Sequence, residues 1–189
     1  MPRSLATVPW ADVLSVGRGV LAVCLIPLAV AAAPGALQAG VLTMALLTDV
    51  ADGPVARAQG TAGPRGARID SVADTVLFGA VLVAVVVGVR LPAELLPWVL
   101  VGLATLVRLA AALITRVRTS RWAIRHTLAN KASGLVLGVT AVAALASGVL
   151  PGWVLGVCAG VTLVSGLDEA WLACRATTLD ADARGSWAA

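Results

Sequence analysis

Long apolar stretches separated by short polar breaks run along the chain. Six of them approach the roughly 20 residues that a helix needs to cross the hydrocarbon core of a bilayer. They extend from about Val13 to Ala33, Leu37 to Ala58, Ala67 to Val89, Leu95 to Ile114, Ala132 to Leu150 and Trp153 to Cys174. Pro34-Gly35 ends the first, Gly60, Gly63 and Pro64 lie between the second and third, and Pro151-Gly152 parts the last two. These residue types stop helices and turn the chain. The pattern predicts an all-α, polytopic membrane protein with six transmembrane helices, a single domain over residues 1–189, and a poorly ordered tail beyond Cys174.

Polar positions break this pattern unevenly. The second segment is apolar through Leu47 and then carries Asp49, Asp52 and Arg57, while the third carries Asp70 and Asp74 near its start. The acids of both segments therefore meet at one side of the membrane. The fourth segment holds Arg108 and leads into Arg116, Arg118, Arg121, Arg125, His126 and Lys131.

Composition agrees, with 59% hydrophobic residues and a mean hydropathy of +0.94, far above the usage of soluble domains. The net charge of +4 raises the question of nucleic acid, but the basic residues follow a topological rule. The connections after segments two and four hold Arg65, Arg68 and the run from Arg116 to Lys131, whereas those on the other side hold only Arg90. Basic loops stay in the cytoplasm, which places both termini and the acidic side there, in a cell inner or plasma membrane. This uses the basic excess without a nucleic-acid partner, and the run itself suits contact with lipid headgroups. Trp10, Trp98, Trp153 and Trp171 lie near span ends as interfacial anchors do. Cys24, Cys158 and Cys174 show no ligand spacing and are expected to pack as buried small residues, with no disulfide. The N-terminal apolar run with Ala31-Ala32-Ala33 has the look of a signal peptide, but Asp12 and Arg18 interrupt it and its length suits a retained span.

Residues three, four and seven apart share a helix face. Asp49, Asp52, Gly53 and Ala56 thus line one stripe of the second segment, and Gly66, Asp70 and Asp74 one stripe of the third. A short connection predicts antiparallel neighbours whose acidic stripes face each other. Four carboxylates in one small volume within a membrane need a cation. Hard oxygen donors without nearby His or Cys favour Mg²⁺, Mn²⁺ or Ca²⁺, and four of them can hold two ions, an arrangement suited to phosphoryl displacement. Gly53 and Ala56 leave room for a ligand beside the backbone, and Arg57 supplies a fixed positive charge, as a pyrophosphate or nucleoside diphosphate would require. The bland alternative is helix packing by small residues, with Arg57 and Arg68 neutralising Asp52 and Asp70.

The run Asp49-x-x-Asp52-Gly53-x-x-Ala56-Arg57, eight residues, then Gly66-x-x-x-Asp70-x-x-x-Asp74 resembles the signature of the CDP-alcohol phosphotransferase family at every fixed position. The resemblance implies a reaction in which an alcohol attacks the β-phosphorus of a CDP-linked donor, usually CDP-diacylglycerol, and releases CMP at a site open to the cytoplasm between helices two and three. It implies that Asp49, Asp52, Asp70 and Asp74 ligate a pair of divalent ions, Mg²⁺ or Mn²⁺, with Asp74 also the general base. Gly53, Ala56, Arg57 and Gly66 would border the CDP moiety. Family members are often homodimers, and the same is expected here. The first segment, Asp12-Val-Leu-Ser-Val-Gly-Arg18, is similar to the family's first-helix pattern but has Asp12 and Ser15 where Asn and Thr are usual; Arg18 is placed at the border of the site. Lys131 falls where many members keep a Gly-Lys pair, here preceded by Asn130.

For the acceptor alcohol, Arg108, Arg118, Arg125 and Lys131 are the candidates. Several cations favour an anionic acceptor such as glycerol 3-phosphate or an inositol phosphate, with a neutral alcohol or phosphatidylglycerol as the alternative within the family. Arg108 stands out because it lies within an apolar span, although a long cation also snorkels to the interface. His126 and Arg116 read as surface or lipid contacts. A divalent-cation carrier or channel is the alternative of a different class, since intramembrane acids mark ion pathways. Against it, the four acids crowd one end of their spans, and Gly53-x-x-Ala56-Arg57 has no role in conduction. Asp168 and Glu169 are expected to mark the exit of the last span.

Overall fold

The computed structural model of the chain describes residues 10–60, 63–119 and 128–175. Each predicted span forms a helix: α1 (Trp10–Val30), α2 (Gly35–Gln59), α3 (Pro64–Gly88), α4 (Leu95–Thr119), α5 (Leu128–Ser147) and α6 (Gly152–Arg175). All six are long and apolar enough to cross a membrane, and the chain is a multi-pass integral membrane protein. Arg121, Arg125 and His126, and the tail from residue 176 onward, lie outside the described residues.

Helix ends follow local chemistry. Gly60 terminates α2 in the left-handed conformation (φ 62°), and its N–H donates to the carbonyls of Ala56 and Arg57; glycine takes this conformation without the Cβ penalty. Gly63 then enters α3 extended, with Pro64 in the first turn, where a missing N–H costs nothing. Two boundaries differ from the sequence expectation in ways that matter. Helix α1 begins at Trp10, so Asp12 is helical, and α4 continues past Ile114 with Arg116 and Arg118 in its last turn, where cations complement the helix dipole.

The chain divides into two compact units. One comprises Met1–Arg90 with Ala141–Val149, and the other Leu91–Thr140 with Leu150–Ala189, so α5 contributes to both. In the first unit α1 is the central helix. It packs along both α2 and α3, which make few contacts with each other. The buried stripe of α1 is Ala11, Ser15, Arg18, Ala22, Leu25 and Ala29, a 3–4 spacing that is polar towards one end and apolar towards the other. The Trp10 N–H donates to Gln59 Oε1 at 3.0 Å, tying the start of α1 to the end of α2. At the start of α2, a Cβ on Gly35 would lie 2.2 Å from the carbonyl oxygen of Leu145 in α5, so only glycine permits that approach.

In the second unit α4 packs along α6. Gly166 lets α4 come close: a Cβ there would meet Val107 Cγ1 and Arg108 Cγ at 3.2 Å each. Small residues at such contacts replace the hydrophobic driving force that lipid removes. Asp168 and Glu169 do not mark the end of a span as expected. They lie within α6, which ends at Arg175 close to the expected boundary, and are buried, 8% and 3% exposed. Large apolar side chains such as Phe78, Leu95 and Val117 remain outward, as lipid contact allows. Among the described residues all three cysteines are free. Cys158 is buried as expected, whereas Cys24 and Cys174 are exposed.

Candidate active site

The acidic stripes of α2 and α3 do not close on each other directly. The side chain of Arg18, from α1, stands between them and is fully buried, 0% exposed. Its guanidinium pairs with Asp49 and Asp70, with Asp52 Oδ2 at 3.2 Å and with Asp74 Oδ1 at 3.3 Å. Asp52 also accepts from Ser15 Oγ at 3.3 Å, one turn earlier on α1. Arg18, expected at the border of the site, thus pairs with all four aspartates of the cluster. The signal that would have placed it there is charge arithmetic across segments: one cation in an apolar span, and four anions in two others, each costly unless they meet.

One guanidinium against four carboxylates leaves the cluster short of positive charge. Asp52 is nearly enclosed, at 12% exposure, while Asp49, Asp70 and Asp74 remain open, at 47%, 42% and 53%. One oxygen from each of these three lies within 4.8 Å of the others. Two ligands on one ion can be no farther apart than twice the bond length, about 4.2 Å for Mg²⁺ and about 4.8 Å for Ca²⁺. The all-oxygen trio therefore fits a hard divalent cation with little rearrangement, on the side that Arg18 leaves open.

Beside the cluster is a cleft of about 200 Å³ bounded by three helices: Ala11, Asp12 and Ser15 of α1, Asp52, Gly53, Ala56 and Arg57 of α2, and Gly66, Ala67 and Asp70 of α3. All four residues expected to border a nucleotide diphosphate, Gly53, Ala56, Arg57 and Gly66, line it. Arg57 folds back over Gly53, its Nη1 3.4 Å from where a Cβ would be. Neither Arg57 nor Arg68 forms an ion pair among the described residues, so the bland expectation that they neutralise Asp52 and Asp70 is not met; Arg18 does that. Of the first segment the sequence placed only Arg18 at the site, and Asp12 and Ser15, noted there as departures from the family's first-helix pattern, line the cleft from α1.

Residues 8–165 match the family model of CDP-alcohol phosphatidyltransferase. The chain belongs to that family. It is accordingly a membrane-embedded transferase of substituted phosphate groups, acting in phospholipid synthesis on a CDP-linked alcohol donor and an alcohol acceptor, in a family that uses divalent metals. No curated protein and no solved structure matches the chain.

The candidate acceptor residues of this family member belong to the second unit and are differently disposed. Arg108 donates to Asn130 Oδ1 at 2.9 Å, Ser133 Oγ at 3.1 Å and Ser165 Oγ at 3.3 Å, joining α4, α5 and α6. Arg118 donates to the carbonyl of Cys174 near the end of α6. Lys131 is exposed near the start of α5, without a hydrogen bond or ion pair among the described residues. Arg125 lies outside them.

Proposed function

We propose that this enzyme transfers a phosphatidyl group from CDP-diacylglycerol to the hydroxyl of an anionic alcohol, releasing CMP, with two divalent ions, Mg²⁺ or Mn²⁺, at the aspartate cluster. The observation that carries this is the adjacency of the open carboxylates of Asp49, Asp70 and Asp74 to a cleft holding Arg57, which has no ion pair among the described residues. The residues that would hold metal are these three together with Asp52. Bound there, a divalent ion would neutralise charge on the phosphoryl oxygens, so that the β-phosphorus can be attacked and CMP can leave.

The chain's own side chains divide the remaining work. Arg57 binds the diphosphate, and Gly53, Ala56 and Gly66 leave it room beside the backbone. Arg18 holds the four aspartates in register and acts through them. The acceptor oxygen forms a bond to the β-phosphorus as the bond from that phosphorus to the CMP oxygen breaks. Its proton passes to Asp74, the most exposed of the four carboxylates and so the one best reached by an entering alcohol. A lipid-linked donor is supported by an apolar groove of about 410 Å³ between α1 and α3, lined by Val16, Gly19, Val23, Val72 and Val76. It begins at Ser15, which the nucleotide cleft shares, so a headgroup in the cleft can continue into an acyl chain. Arg108, Arg118, Arg125 and Lys131 are the groups proposed to favour an anionic acceptor. The basic connections support an orientation with the aspartate end on the cytoplasmic side of a cell inner or plasma membrane, and the enzyme is proposed to act as a homodimer.

The test is CMP release by purified enzyme given CDP-diacylglycerol, Mg²⁺ and a panel of alcohols that includes glycerol 3-phosphate, an inositol phosphate, phosphatidylglycerol and neutral polyols. Release should require divalent metal and an anionic acceptor, and should fall by roughly 10²–10⁴-fold in Asp74→Asn, the usual contribution of a general base. Release with a neutral polyol alone would move the acceptor assignment. A divalent-cation carrier would release no CMP.

A further inference from the structure

The nucleotide cleft carries two charged heads that the cluster does not use. On the α2 wall, Arg57 lies over Gly53; on the α1 wall, Asp12 lies over Gly66, its Oδ1 3.4 Å from where a Cβ would be. Asp12 is half-buried and makes no hydrogen bond or ion pair among the described residues, although Ser15 and Arg18, on the same side of α1, are both engaged. It is six residues before Arg18, about 9 Å along the helix at 1.5 Å per residue, and so stands away from the aspartate cluster towards the start of α1.

A carboxylate that stands outside the metal-holding cluster is repelled by the phosphates of a nucleoside diphosphate, because like charges repel. It is complementary to the other end of such a ligand, where the nucleoside presents neutral N–H and O–H donors. We infer that Asp12 is a specificity-determining residue, its carboxylate accepting a hydrogen bond from a donor of the bound cytidine, either the exocyclic amine of the base or a ribose hydroxyl. The cleft then reads a CDP-linked donor from both ends, with Arg57 on the anionic half and Asp12 on the donor-bearing half. This inference rests on the reading of the cleft as the nucleotide site.

Asp12 also lies in the first turn of α1 and beside the first turn of α3, positions where a carboxylate complements helix dipoles. A purely structural role of that kind would affect all ligands alike. The experiment is equilibrium binding of CMP, dCMP, UMP and inorganic pyrophosphate, with Mg²⁺, to the purified full-length enzyme and its Asp12→Asn and Asp12→Ala variants, alongside their melting temperatures. The wild type should hold CMP on the order of tenfold more tightly than the analogue lacking the donor, the scale of one charge-assisted hydrogen bond. That analogue is UMP if the amine is read and dCMP if the ribose is. Asp12→Ala should erase the ratio and Asp12→Asn reduce it, while pyrophosphate binding stays within about twofold. A ratio unchanged in Asp12→Ala overturns the inference, as does an equal weakening of all four ligands. Failure of the wild type to bind any cytidine nucleotide would overturn the nucleotide assignment of the cleft itself, and the inference with it.

Discussion

Arg18 shows how one side chain makes a cluster of like charges tolerable inside a membrane protein. Its contacts come from the two terminal guanidinium nitrogens, a fork geometry that an ammonium cannot copy. Removing one partner of a buried ion pair costs about 3–5 kcal/mol. Three of the four aspartates are nearly half exposed, so screening should put Arg18→Ala at the low end, about 3 kcal/mol. Arg18→Lys should recover only part of this. A divalent ion held by the same carboxylates, as proposed, would replace the missing charge, so the loss in melting temperature for Arg18→Ala should be clearly larger in EDTA than in Mg²⁺. Thermal unfolding of the purified enzyme in both buffers checks this; equal losses would mean that Arg18 and metal do not share the same carboxylates. Arg57, the same residue type on the next helix, has the opposite disposition: it is exposed and has no ion pair among the described residues, as suits a group that waits for a ligand.

At the scale of elements, α1 is the frame on which the site is built. Its stripe from Ala11 to Arg18 touches α2 and α3 at their acidic ends, while Leu25 and Ala29 fill the apolar end. The Asp49 to Asp74 signature could be read from spacing alone, because i, i+3, i+4 and i+7 relations are local to a helix. The middle position of α1 could not. Helices that are apolar all round carry no stripe that names a partner, and close approach is decided by small residues whose placement is meaningful only in three dimensions. Gly35 is such a residue. In an unconstrained helix Gly→Ala would stabilise by up to about 1 kcal/mol. Here the added methyl meets a backbone carbonyl that cannot swing aside, so Gly35→Ala should instead destabilise by about 1–3 kcal/mol. The sign of the change in melting temperature decides between the two.

For the whole molecule, the proposed orientation makes opposite claims about two exposed positions. In a variant with Cys24, Cys158 and Cys174 replaced by Ser, a membrane-impermeant maleimide applied to intact cells should label Glu94→Cys and spare Arg65→Cys until the membrane is permeabilised. The reverse pattern would invert the topology and put the aspartate end outside. The candidate acceptor groups also belong at this scale. Arg108 reads in sequence as an intramembrane charge awaiting a ligand, yet in the fold its donors meet Asn130, Ser133 and Ser165 from two further helices. No spacing rule links residues so far apart along the chain.

The sequence by itself determined the six spans, the turns between them, the family and the acidic motif. Each of these follows from local periodicity, from the cost of charge in lipid or from residue types that stop helices. Tertiary structure decided which helix lies between the acidic stripes, which cation sits among the aspartates, and that Asp12 joins Gly53, Arg57 and Gly66 in one cleft. The physical reason is that burial cost requires a fully buried charge such as Arg18 to find partners without specifying which ones. Only the packing of near-uniform apolar helices through their glycines and alanines makes that choice.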